Sequence, residues 1–304
     1  MTATAPYACR YCRLASDGTA TSCPHCGAPV DVRARVSDSG WQEQPAIKDM
    51  ARIQMGRSTC QVEGTYVPSA DFGLVGDDWI YFSHHTLLWT DPTVRMKAMP
   101  MAGGWNRALA GLPLIMLQAS GPDPRSAGTG PGHIALSDDH PGEVIALPMA
   151  AGRSVIVREH RFLAATGNVA YSWEQANLWF TTQKGDEEEW EYPLGRYVDR
   201  FSAQGAPGLL LLHSPGNTFI RDLRQGETIC IQPSAMLYAD PSVGMALHFE
   251  YPATGGLAWG SNYSYRHVWL RMWGPGRVAI QSVFERAEGS GYIRRHSPAT
   301  ATRW

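Results

Sequence analysis

The chain has 304 residues, of which 44% are hydrophobic, 18% charged and 10% aromatic. That is the composition of a soluble globular protein, long enough for one large core or for two or three modules. A formal net charge of -2 excludes a general electrostatic attraction to nucleic acid or anionic lipid, and the 31 glycines and 21 prolines favour turns and strands over long salt-bridged helices.

At the start, Met1–Ala8 has neither a basic n-region nor an apolar h-region, so no secretory signal is expected. The longest apolar stretches, near Leu112–Leu117 and Leu209–Leu212, fall far short of a spanning helix, and no membrane span is expected. Six cysteines, four of them in paired knuckles, suit a reducing compartment better than a disulfide framework, and the expected location is cytoplasmic. Cys60 and Cys230 read as buried thiols.

Cys9, Cys12, Cys23 and Cys26 follow the spacing C-x2-C-x10-C-x2-C. A two-residue gap lets both thiolates of a knuckle reach one ion, and two such pairs complete a tetrahedron, so residues 1–30 are expected to form a zinc ribbon. The second knuckle, Cys23-Pro24-His25-Cys26-Gly27, has the Pro and Gly of a tight turn whose N–H groups can face the sulfurs. Four cysteines leave no open coordination position, so the one Zn2+ ion is structural, supplying most of the folding energy of so short a segment. Redox-active pairs would need a neighbouring βαβ pattern, which is missing. Residues 31–49, polar and rich in Pro, Ser, Asp and Gly, read as a linker.

An internal repeat organises the rest. Leu88-Trp89-Thr90-Asp91-Pro92-Thr93-Val94 matches Leu237-Tyr238-Ala239-Asp240-Pro241-Ser242-Val243, and Phe162-Leu163-Ala164-Ala165-Thr166-Gly167 matches Met236 to Pro241. Gly152 to Val157 parallels Gly226 to Ile231, and Pro131 to Leu136 parallels Pro207 to Leu212. The turns are followed by alternating runs, such as Val169, Tyr171 and Trp173 or Met245, Leu247 and Phe249, a period that puts one strand face on a core. The expected fold class is all-β, with three β-sandwich (double-stranded β-helix-like) units in a pseudo-threefold arrangement that buries edge strands. Their expected spans are 50–120, 121–203 and 204–288, with a tail at 289–304 and a short helix at Trp105–Ala110.

No catalytic constellation stands out. His84 and His85 are adjacent and would point to opposite faces of a strand; Glu159-His160 and His248-Phe249-Glu250 read as structural polar residues. Ser214 lacks the glycine that a nucleophile elbow needs two residues before it, and the Gly-rich pieces lack the Lys-Ser/Thr of a phosphate loop. Asp186 to Glu191 reads as a solvated loop. Trp173, Trp179 and Trp269 read as core anchors or interface residues, and the basic tail, Arg294, Arg295, His296 and Arg303, is too short for a nucleic-acid site.

Three blocks, Gly130-Pro131-Gly132-His133-Ile134-Ala135, Arg158-Glu159-His160-Arg161-Phe162-Leu163 and Gly274-Pro275-Gly276-Arg277-Val278-Ala279-Ile280-Gln281-Ser282, resemble the altered-inheritance-of-mitochondria family. That resemblance implies a fold related to the tryptophan RNA-binding attenuator protein, repeated with pseudo-threefold symmetry and often homo-oligomeric, with no catalytic residues to carry over. The functional expectation is a non-enzymatic scaffold or adaptor acting on unidentified protein partners, with the zinc ribbon as docking element. RNA binding is the alternative, weakened by the near-neutral charge, and an enzyme with an unrecognised site comes third.

Overall fold

The computed structural model describes residues 7–8, 14–16, 22–27, 39–44, 52–99, 116–123, 130–184, 186–250, 267–285 and 292–297. Among them there is no α-helix; two short 3-10 turns, His84–Thr86 and Pro233–Ala235, interrupt an all-β chain. The expected helix at Trp105–Ala110 lies outside the described residues.

Three two-residue strands come first: β1 (Tyr7–Ala8), β2 (Ala15–Ser16) and β3 (Gln42–Glu43). Then follow β4 (Arg52–Met55), β5 (Ser58–Glu63), β6 (Ser69–Leu74), β7 (Trp79–Ser83), β8 (Leu87–Thr90), β9 (Arg95–Ala98), β10 (Met116–Ser120) and β11 (Gly132–Ser137). The middle of the chain holds β12 (Gly142–Met149), β13 (Ser154–Arg158), β14 (Phe162–Thr166), β15 (Val169–Gln175), β16 (Phe180–Lys184), β17 (Glu187–Glu191), β18 (Tyr197–Ala203) and β19 (Gly208–Pro215). The last are β20 (Thr218–Leu223), β21 (Thr228–Ile231), β22 (Met236–Ala239), β23 (Gly244–Glu250), β24 (His267–Trp273), β25 (Gly276–Gln281) and β26 (Tyr292–His296).

These strands form a five-stranded sheet, β4-β5-β6-β11-β8, a six-stranded sheet, β12-β19-β14-β7-β10-β9, and a seven-stranded sheet, β15-β18-β13-β22-β25-β20-β3. Two three-stranded sheets, β21-β24-β23 and β17-β16-β26, and the β1-β2 pair complete them. Three apolar cores separate the layers. Phe72, Leu74, Ile134 and Leu136 of the five-stranded sheet meet Ile80, Phe82, Leu209 and Leu211 of the six-stranded one. On its other face, Tyr81, Ile145, Leu210 and Leu212 meet Val155, Val157, Phe201 and Leu237 of the seven-stranded sheet. Beyond that, Ile156, Val198, Met236 and Val278 meet Met245, Leu247, Leu270 and Met272. The unbroken Leu209–Leu212 run is thus explained: a strand covered on both faces has no polar side, and alternate leucines serve opposite cores.

Two features recur along the chain. The first is a bulge: β8 shifts register against β11, β14 against β19 and β22 against β25, passing over Leu88, Leu163 and Leu237 respectively. The second is a tie at the following turn. Asp91 Oδ2 accepts the His133 N–H at 2.9 Å, Thr166 Oγ1 that of Leu209 at 2.9 Å, and Asp240 Oδ2 that of Arg277 at 2.8 Å. Each donor follows a glycine at which a side chain would crowd its neighbours. A Cβ on Gly132, Gly208 or Gly276 would come within 2.9, 2.6 or 2.8 Å of Cγ2 of Val94, Val169 or Val243.

Several expectations are corrected. Acidic residues 187–191 form the exposed strand β17, paired with β16, and not a loop. The stretch read as tail supplies β26, on the other edge of β16, and the stretch read as linker supplies β3, paired with β20. Tyr238 donates to Gln44 Oε1 at 2.8 Å, so that end of the linker is docked into the body. His84 and His85 stand in a 3-10 turn, not a strand. Cys60 is buried and its thiol is pushed up to about 12 by burial, with Asp71 adding to the effect, whereas Cys230 is exposed.

Candidate functional site

Of the four expected zinc ligands, Cys9 and Cys12 lie outside the described residues. Cys23 is buried and Cys26 exposed, on a turn that the Gly27 N–H closes by donating to Cys23 C=O at 2.8 Å. Gly27 has φ +70°, the left-handed conformation a glycine adopts without steric cost, and nothing crowds it. The tight turn expected over Cys23–Gly27 is present. β1 and β2 pair antiparallel with Tyr7 opposite Ser16, on either side of residues 9–14.

A buried polar cluster lies elsewhere in the body, where the β11–β12 turn meets β19. The pairing of β12 with β19 sets Glu143 opposite Ser214 and Val144 opposite His213. It brings His213 beside Asp138, which follows β11, and Arg161, which precedes β14 and whose C=O accepts the His213 N–H at 2.9 Å. The His213 side chain is 2% exposed; its Nδ1 stands 3.5 Å from Asp138 Oδ1, but neither ring nitrogen makes a hydrogen bond. Burial lowers the imidazole below its ordinary 6.5; Asp138 opposes that and the Arg161 charge adds to it. At neutral pH the contact is therefore carboxylate to neutral imidazole and not an ion pair.

Asp138 also accepts from the backbone N–H of His140 at 3.1 Å and lies 3.0 Å from His140 Nδ1. Burial acts to raise its carboxyl, but His213 and the His140 contacts outweigh it and hold it below 3.8. His140 is exposed and raised, first by the bond to Asp138 and then by the Asp139 charge. Ligand atoms of Asp138, Asp139 and His140 lie within 4.8 Å of one another, a donor set of the kind divalent cations accept. Behind them two arginines are crowded together. Arg158 is brought down to about 10 by burial and then by Arg161, and donates to Ser234 C=O at 2.9 Å; the Nε of Arg161 has no partner. Nothing in the sequence pointed to this cluster, because Asp138 and His213 are far apart in the chain and only strand pairing joins them. The Arg158–Arg161 block was visible as a block; its burial was not.

The layers and ties define an all-β protein of edge-fused sheets. The model of the mitochondrial biogenesis AIM24 family matches residues 60–283, and the chain belongs to that family. The crystal structure of protein SPYM3_0169 from Streptococcus pyogenes resembles it with a TM-score of 0.53 at 19% identity, over 75% of this chain and 94% of that one. That likeness speaks to fold alone. No curated protein matches. Among the described residues no helix is long and apolar enough to cross a membrane.

Proposed function

We propose that the protein is a non-enzymatic scaffold that works through protein contacts, its zinc ribbon serving as the docking element. The observation that carries this reading is an open apolar strand on the body: Leu88 and Trp89 of β8 are 60% and 45% exposed. Side chains of that size left on a sheet edge mark an interaction surface. The ribbon of residues 1–30 would hold one Zn2+ through Cys9, Cys12, Cys23 and Cys26, and the ion would cross-link the two pairs without doing chemistry. The glycine-closed turn at Cys23–Cys26 supports that assignment.

The body is read as three copies of one six-stranded unit, in line with the attenuator-like fold. The order of pairing supports it. β6 to β11 form the first copy, β12 to β15 with β18 and β19 the second, and β20 to β25 the third. In each, the first strand pairs with the sixth, the sixth with the third, the second with the fifth and the fifth with the fourth. β16 and β17 are an insertion in the second copy. On this reading the units run 69–137, 142–215 and 218–281, because β11 and β19 close the sandwich before them instead of opening the next.

Affinity capture of the tagged chain from its own cells tests the function. A different protein recovered in stoichiometric amount is expected; crosslinked lysate that yields this chain alone overturns the reading.

A further inference from the structure

Among the described residues, His213 alone has every polar atom of its side chain buried without a hydrogen bond. Such a group costs stability, and β19 is apolar up to Leu212, so a leucine at 213 would carry no such cost. The ring has a definite orientation. Its Nε2 is closed off by β12, since a Cβ on Gly142 would come within 2.7 Å of it. Its Nδ1 faces the β11–β12 turn, 3.5 Å from Asp138 Oδ1. The His140 backbone lies beside the ring without making a hydrogen bond to it.

The Asp138 oxygen is shared. His140 Nδ1 stands 3.0 Å from the same Oδ1 and 2.5 Å from Asp139 Oδ1. Two donors that each sit about 2.0–2.1 Å from a tetrahedral zinc ion lie roughly 3.3 Å apart. The separations of Asp138 Oδ1 from the two imidazole nitrogens, 3.0 and 3.5 Å, bracket that spacing. Burial divides the donors into two kinds. His213 and Asp138 are held almost out of water, whereas Asp139 and His140 are exposed and have room to turn onto an ion arriving from solvent. Arg161 is the opposing charge beside the ring, and the two carboxylates together outweigh it.

We infer that Asp138, Asp139, His140 and His213 bind one divalent transition-metal ion of the zinc class, which ties the β11–β12 turn to β19. Two imidazoles with two carboxylates suit zinc and its neighbours, whereas magnesium and calcium take oxygen ligands and would leave both rings idle. Four protein donors complete a tetrahedron, so the ion holds structure and does no chemistry. The site shares no residue with the cysteine ribbon and does not depend on it.

Equilibrium dialysis of the full chain against buffered Zn2+, followed by metal analysis, tests the site. The wild type should hold one Zn2+ more than His213→Leu, Asp138→Asn or His140→Ala; any ion in the ribbon cancels, because every chain keeps its cysteines. Loss of a ligand should weaken binding by at least the roughly 10–100-fold that loss of an orienting partner costs. Circular dichroism checks that each variant folds, and the wild type alone gives a second reading. In its histidine NMR spectrum Zn2+ should shift the ring signals of both His140 and His213, and excess Mg2+ should shift neither. Uptake unchanged by His213→Leu, or ring shifts confined to His140, would place the ion on the exposed turn and overturn the site. Displacement of the Zn2+ by excess Mg2+ would overturn its assignment to the zinc class.

Discussion

Asp240 holds Arg277 through the backbone, its Oδ2 accepting the Arg277 N–H at 2.8 Å, and Asp91 holds His133 in the same manner at 2.9 Å. Each carboxylate fastens the turn after a third strand to the strand beside it. Loss of the acceptor strands a partly buried N–H, so Asp240→Ala and Asp91→Ala should each cost about 1–3 kcal/mol. Thr166→Val, which removes the hydroxyl acceptor for Leu209, should cost about 1 kcal/mol. Urea denaturation reads all three, and unchanged midpoints would show that the ties hold nothing.

The glycine beside each tie makes a second, sharper prediction. A Cβ at Gly208 would sit 2.6 Å from Val169 Cγ2 and 2.8 Å from Thr166 Oγ1. Gly208→Ala should therefore destabilise by about 1–3 kcal/mol through overpacking. Combined with Val169→Ala it should cost less than the sum of the single changes, with a coupling of about 0.5–3 kcal/mol. The pair Gly132 and Val94 should behave alike; strict additivity at both would remove the argument that one packing solution is used more than once.

His213 predicts how acid affects the fold. Its folded pKa lies below the unfolded 6.5, so the unfolded chain binds the proton more readily. The stability it contributes is complete above about pH 6.5 and is lost as pH falls through the folded value. Asp138, also lowered, adds a further loss that begins only near 3.8 and below. The charges facing the ring are Asp138, Arg161 and His140. His213→Leu, which removes two unsatisfied ring nitrogens, should flatten the stability–pH curve between pH 6.5 and the carboxylate range without lowering stability at pH 7. An unaltered acid limb in that variant would contradict this.

Metal analysis addresses the ribbon. One zinc per chain is expected in the purified protein, falling to none in Cys23→Ser with Cys26→Ser. The stripped ribbon should become sensitive to protease while the thermal transition of the body stays in place, because, among the described residues, the three cores draw nothing from residues 1–30. A body that unfolds along with metal removal would show the two parts to be one cooperative unit.

The all-β class was legible because Val169, Tyr171 and Trp173, or Met245, Leu247 and Phe249, alternate with polar neighbours, and because matching Asp-Pro turns recur. What could not be read was which strands pair. Gly132 and Gly208 both follow prolines and look like the start of a unit, yet β11 and β19 pair back onto β6 and β12. Cys230 parallels Ile156 in the repeat and so reads as buried, yet it is exposed. The cluster around His213 was hidden because a two-residue alternation reports which face a side chain takes, not what lies across the sheet. Asp186 to Glu191 misled in the opposite direction, since a run of like charge normally stays in loops; here one edge-paired strand keeps every side chain in water.

The most direct test of the scaffold reading compares affinity capture of the full chain with that of a chain lacking residues 1–30, each tagged and expressed in its native cells. The account predicts a stoichiometric protein partner on the full chain that is lost or strongly reduced without the ribbon, with the body still folded. Recovery of the same partner by both would contradict the docking role of the ribbon and place the contact on the body, and recovery of none by either after crosslinking would contradict the scaffold reading itself.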